Sequence, residues 1–133
     1  MTIHLSVEVR NARLNQIKST IGQSGYLRIR SGTPPAATID ADVGDILAAI
    51  TLPSGWLMPA TGGYVAMSGT WADSSADNTG TATHFRVYRP DGVTCDLQGT
   101  VGTTTEDMVV LTTAFVATQP FTITSFTLYD GNA

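Results

Sequence analysis

The stretch LRIRSGTPPA, Leu27 to Ala36, alternates apolar and basic residues, turns through Ser-Gly-Thr, and stops on two prolines. Alternation at period two marks a strand with one buried face. Leu27 and Ile29 point one way, and Tyr26, Arg28 and Arg30 the other. Gly32 can take positive φ, Thr33 is pushed extended by the following proline, and Pro34 and Pro35 donate no backbone hydrogen bond, so ladder pairing stops there. The stretch is a strand and its terminator, which sets the expectation of a chain built mainly from short strands.

The same pattern continues downstream. DILAAITL (Asp45 to Leu52) reads as a second strand, and PSGWLMPATGG (Pro53 to Gly63) as a long loop anchored by Trp56 and Leu57. A short strand follows at Tyr64 to Met67, then a turn-rich surface excursion around Trp71, from Ser68 to Thr81. TATHFRVYR (Thr81 to Arg89) sets Phe85 and Val87 against His84, Arg86 and Tyr88, and Pro90-Asp91-Gly92 turns it back into a strand over Val93 to Val101. Met108 to Val116 and Pro120 to Leu128 supply two more. The last shifts its apolar phase between Ile123 and Phe126, as a bulge near Thr124 or Ser125 or burial on both faces would require.

Upstream the period is helical. Ser6 can cap a helix over about residues 7–21, Glu8 suits its first turn, Lys18 suits its last, and Gly22 is a natural stop. Val7, Leu14, Ile17 and Ile21 form its apolar stripe. One helix before seven or eight short strands gives a mainly β chain: an antiparallel β-sandwich or jelly roll with one N-terminal α-helix, as a single domain over 1–133.

Of the 133 residues, 42% are hydrophobic and 14% charged, enough for a core and too little charge for a disordered chain. A net charge of -4 argues against nucleic-acid binding, which needs a cationic face. Nothing after Arg89 is basic, while acids crowd at Asp40 to Asp45, Asp73 to Asp77 and beyond Asp91. That asymmetry allows pairing either between subunits or within one. The lone Cys95 excludes an internal disulfide and points to a reducing compartment. No apolar run reaches the roughly 20 residues that span a bilayer, so no membrane partner is expected.

The motifs of catalysis are missing. Ser-Gly-Thr-Pro-Pro lacks the glycine spacing, lysine and following helix of a phosphate loop, and no G-x-S-x-G elbow occurs. His4 and His84 stand eighty positions apart without metal-ligand spacing, so His84 reads as a strand-surface residue. Cys95 reads as packed and inert beside Asp96, and Asp40, Asp42 and Asp45 as a solvated acidic turn that lacks the closing glutamate of a calcium loop. No enzyme, cofactor or metal is expected. Arg28, Arg30 and Arg86 either cover the outer sheet face or join Tyr26 and Tyr88 in an aromatic-backed patch suited to a subunit contact.

RNARLNQI (Arg10 to Ile17), LRIRSGTPPA, ATHFRVYRPDG (Ala82 to Gly92) and TITSFTLYDGNA (Thr122 to Ala133) together resemble a family of small tailed-bacteriophage structural proteins. Members carry an R-N-A helix, then L-R-I-x-S-G-T-x-P, a T-A-T-x-F-R-x hairpin strand and a Thr-rich S-F-T strand, in this order. The chain departs at Arg30, where tyrosine is common, and at the first proline of the Pro34-Pro35 pair. The resemblance implies a virion component assembled in the host cytoplasm: a head decoration or cement protein, commonly a homotrimer, bound to the major capsid protein or other virion proteins. The same signature also covers a tail or head-tail connector component. Candidate subunit or capsid contacts are Tyr26, Arg28, Arg30, Arg86, Tyr88, Trp56 and Trp71. A competing class is a carbohydrate-binding β-sandwich module that presents Trp56, Trp71 and loop aspartates as a stacking platform.

Overall fold

In a computed structural model that describes residues 3–131, one helix precedes ten strands. Helix α1 (Val7–Ile21) begins where Ser6 accepts a hydrogen bond from the Val9 N–H at 3.2 Å. It ends at Gly22, whose φ of 83° and N–H bond to the Lys18 carbonyl close the last turn. Leu14 and Ile21 are buried and Ile17 packs partly against the core, but Val7 is exposed, so the apolar stripe starts one helical stretch later than expected.

The polar side of α1 is a fastening surface. Asn11 and Asn15 accept from the Gly63 and Ala60 N–H groups at 2.9 Å each, and Lys18 donates to the Leu57 carbonyl at 3.1 Å. Arg10 donates to the Asp130 carbonyl, and Arg13 pairs with the Asp130 carboxylate at 3.2 Å. The helix thus holds both the 53–63 loop and the end of the last strand. Glycine suits Gly63, where φ is +81° and a Cβ would displace the Arg10 guanidinium, 2.1 Å away.

The strands are β1 (Tyr26–Arg30), β2 (Ile46–Thr51), β3 (Tyr64–Ala66), β4 (Ala72–Asp73), β5 (Gly80–Thr81), β6 (His84–Tyr88), β7 (Cys95–Gly102), β8 (Met108–Val110), β9 (Ala114–Phe115) and β10 (Phe121–Tyr129). Eight form one curled sheet in the order β2-β1-β6-β7-β8-β10-β3, with β4 also on β10, while β5 and β9 make a small ribbon. The protein is mainly β, a sandwich-like arrangement with one N-terminal helix. Pairing is antiparallel except between β7 and β8, which run parallel at Val101/Met108. The expected strand Met108 to Val116 is two, because the chain breaks at exposed Leu111 and β9 leaves to pair with β5. The expected bulge is present: register shifts between Ile123 and Ser125, and the Thr124 hydroxyl bonds the Val109 carbonyl.

The segment from Ser68 to Thr81 is not a free excursion. Asp73 accepts from the Ala49 N–H, the Asp77 N–H donates to the Leu47 carbonyl, and the Asn78 side chain donates to the Ile46 carbonyl, which caps the outer edge of β2. Because β4 also pairs with β10, this segment ties the two ends of the curled sheet together. Its Trp71 is fully buried, 5.9 Å from the equally buried Trp56 and 5.4 Å from Phe126, with Phe85 meeting Phe126 edge on. Both tryptophans are core, held also by indole bonds to the Ser68 and Gly22 carbonyls. They are neither surface contacts nor a stacking platform, because the apolar area of an indole is worth more inside the curl than on a loop tip.

Candidate functional site

Strands β1, β6 and β7 align their polar side chains in rows. Tyr26 lies opposite Tyr88, Arg28 opposite Arg86 and Arg30 opposite His84; across the next pair, Arg86 faces Gln98 and His84 faces Thr100. Period two therefore gathers two tyrosines, three arginines, a histidine, a glutamine and a threonine on one side of the sheet, away from Leu27, Ile29, Phe85 and Val87.

A strap of chain, Ser31 to Asp45, lies over these rows. Arg86 donates to the Thr38 carbonyl at 2.6 Å, to the Asp40 carbonyl at 3.1 Å and to the Asp42 carboxylate at 2.6 Å. Arg30 donates to the Gly44 carbonyl at 3.1 Å and to Asp42 at 3.2 Å. The Tyr88 hydroxyl donates to Asp42, and the Gln98 amide donates to the Pro35 carbonyl at 2.9 Å. The strap closes on itself where Ser31 and Asp45 exchange bonds. Gly44 permits this closure, since at its φ of +81° a Cβ would lie 1.8 Å from the Ser31 carbonyl oxygen.

The covered side chains are buried: Arg86 is 1% exposed, His84 and Tyr88 likewise, and Arg30 7%. Two guanidiniums out of water demand a counter-charge, and Asp42 supplies it. Burial alone pushes the Asp42 carboxyl up, but the Tyr88 hydroxyl, Arg30 and Arg86 outweigh that effect and hold it below the usual carboxylate value. Burial pushes the Tyr88 phenol up, and its bond to Asp42 adds to the rise. Burial pushes the His84 imidazole down, and the nearby Arg30 and Arg86 push it further, so it is neutral at pH 7.

Arg30, Arg86 and Tyr88 are therefore a clamp beneath the strap and not an open contact patch. Tyr26 and Arg28 remain partly exposed; the Arg28 guanidinium lies 4.6 Å from the Tyr88 ring centroid and bonds the Gly92 carbonyl. The acidic turn is exposed as expected, but within it Asp42 also serves as counter-ion to the buried Arg30 and Arg86, and His84 is interior where a strand-surface residue was expected. The sequence signal for Asp42 is an acidic turn in the loop after a strand that carries two arginines, Asp42 standing 12 residues beyond Arg30. Cys95 is half-buried at the start of β7, its thiol near the Leu97 carbonyl.

Among the described residues no group of three His, Cys, Asp or Glu side chains could hold a metal, and no helix is long and apolar enough to cross a membrane. Asp42, Arg30 and Arg86 bond one another and the strap carbonyls, which fixes the loop over the sheet, while Arg30 Nε and Arg86 Nε are buried without a hydrogen-bond partner. No protein-family model, no curated protein and no solved structure matches the chain.

Proposed function

We propose that this protein is a bacteriophage virion component that decorates the capsid as a homotrimer, binding the major capsid protein across capsomers and cementing the shell. The observation that carries the proposal is the two-sided strap. Its backbone carbonyls and the Asp42 carboxylate bond inward to Arg30, Arg86, Tyr88 and Gln98, while its outer surface exposes Pro34, Ala36, Ala37, Ala41, Val43 and, at 91%, Ile39, alongside Asp40 and Asp45. A loop already held in one conformation, with Ile39 at its exposed tip, meets a protein partner without the ordering cost of a free loop. The order of the R-N-A helix, L-R-I-x-S-G-T-x-P strand and S-F-T strand supports a virion setting. Many modest contacts repeated around a shell gain strength through multivalency.

Co-sedimentation with undecorated phage shells, followed by electron microscopy, tests this. Wild-type protein binds the shell at regular positions, and Ile39→Asp, at a site with no core contact, lowers occupancy at least about tenfold. Density on the tail or connector, or equal occupancy by Ile39→Asp, overturns the proposal.

A further inference from the structure

The clamp leaves one titratable group beneath the strap unanswered. His84 is 1% exposed, and its Nε2 is closed off from water with no hydrogen-bond partner among the described residues. The first turn of the strap is its cover, since Pro34 lines a pocket of about 190 Å³ together with His84, Gln98, Gly99 and Thr100. The neighbours set its tautomer. The Thr83 hydroxyl has one proton, and its shortest contact is the Gly32 carbonyl at 2.6 Å, so it donates there and accepts at 2.9 Å from His84 Nδ1–H. A further proton must go to Nε2, where the closed strap offers neither an acceptor nor water.

Charge opposes that proton too. On β1, Arg30 lies opposite His84 in register, and two residues along β6 Arg86 shares its face. The strap brings Asp42, but Arg30, Arg86 and the Tyr88 hydroxyl already share that carboxylate. Its other acids, Asp40 and Asp45, are exposed. On β7, Thr100 and Gln98 are neutral, and the Asp107 carboxylate beyond them is taken up by the Thr100 N–H and hydroxyl. A third cation here would leave the closed strap short of counter-charge. Burial, Arg30 and Arg86 accordingly lower the affinity of the imidazole for a proton, against a smaller opposing pull from Asp42.

Lifting the strap reverses both conditions, because water then solvates the imidazolium and screens it from the arginines. We propose that the strap, Ser31 to Asp45, is an acid-released latch that stays closed over a neutral His84 and lifts locally from the sheet when His84 takes a proton at Nε2. The sign follows from linkage. The closed strap binds fewer protons than the open one, so closure is fully favoured above the ordinary histidine value near pH 6.5 and weakens by up to about tenfold per pH unit below it. From pH 7.5 to 5.0 the open population rises by up to about thirtyfold, the limit for a single proton. Asp42, held below the usual carboxylate value, keeps its charge over that range, so the change belongs to His84. The latch does not depend on capsid attachment.

The test uses the full chain labelled with ¹⁵N and follows the Nε–H groups of Arg30 and Arg86, which are buried without a hydrogen-bond partner among the described residues and so meet solvent only when the strap lifts. Their hydrogen exchange, corrected for the intrinsic rate of a free guanidinium, is compared at pH 7.5 and 5.0 with that of amides in the β1–β6 ladder. Protection of the two Nε–H groups falls about ten- to thirtyfold toward pH 5.0 and stays below that of the ladder amides throughout, the mark of local opening. In His84→Gln the protection no longer changes with pH. If that variant does not fold, the wild-type chain decides, its His84 imidazole staying mostly neutral at pH 6.5 while protection falls below that pH. Nε–H groups as protected as the ladder amides, which open only with the whole fold, overturn the latch. So does protection that is equal at the two pH values, or a His84 that takes its proton near pH 6.5 under a closed strap, as it would if Gln98 Oε1 accepted from Nε2–H.

Discussion

Replacing Asp42 with Asn keeps the shape of the side chain and an acceptor oxygen for the Tyr88 hydroxyl, but removes the carboxylate between two buried guanidiniums. Taking one partner from a buried ion pair costs about 3–5 kcal/mol. Asp42 retains 37% of its side-chain exposure, so water screens part of the loss and the expected cost is roughly 2 kcal/mol. For a domain of this size that corresponds to a fall in Tm of about 7 °C. The control is Asp96→Asn. Arg89 and Asp96 approach to the same 2.6 Å as Arg86 and Asp42, but with side chains 45% and 21% exposed, so their loss leaves stability almost unchanged. Urea and thermal unfolding at pH 7, followed by circular dichroism, compare the two directly. Equal effects from Asp42→Asn and Asp96→Asn would refute the role of burial, and an Asp42→Asn protein as stable as wild type would refute the clamp itself.

Three further outcomes are expected. Ser6→Ala removes the acceptor for the Val9 N–H and costs about 1 kcal/mol in the same unfolding assay. Stability falls in two acid steps. In the first, the unfolded chain protonates its histidine near pH 6.5 while folded His84 resists, so stability drops as pH falls below that value, and His84→Gln flattens this slope. In the second, below about pH 4, the depressed carboxyls of Asp42 and Asp91, the latter lowered to about 2, lose the stability they supply at higher pH. A pH series of urea midpoints resolves both steps. Finally, Trp56 and Trp71, both fully buried, give a blue-shifted emission that iodide does not quench, and glycosides leave it unchanged; quenching in the native state would place at least one indole outside the core.

What the sequence made legible is what local physics decides. The Ser6 cap, the Gly22 stop and the period-two alternation of Leu27–Arg30 and His84–Tyr88 are each set by residues a few positions apart, and each appears where expected. The phase slip at Thr124 is local too, and it marks the bulge. The site was less legible because its partners are distant in the chain: Arg86 meets Thr38, Asp40 and Asp42 across 44 to 48 residues. Alternation showed that Arg30, Arg86 and Tyr88 share a face opposite the core, but a single strand cannot show that a proline-started loop folds back to cover it. The tryptophans misled for the same reason. Gly- and Ser-rich surroundings placed them on loops, whereas those loops pass over the open side of the curled sheet and lower their indoles into it.

The uneven charge of the chain has its explanation in this fastening. All seven basic side chains have internal partners: Arg10 and Arg13 at Asp130, Lys18 at the Leu57 carbonyl, Arg28 at the Gly92 carbonyl, Arg30 and Arg86 at the strap, and Arg89 at Asp96. Several of these bonds hold a loop to the helix or to the sheet. Cations committed in this way act first as fasteners, although Arg13 and Arg89 keep about half of their side-chain surface in water. They also leave the strap unable to change shape without exposing Arg86 and Arg30 beside an unpaired Asp42. The conformation of the strap's outer side, with Ile39 at 91% exposure, is therefore decided from within by the polar clamp, which is why the proposed capsid contact is placed there.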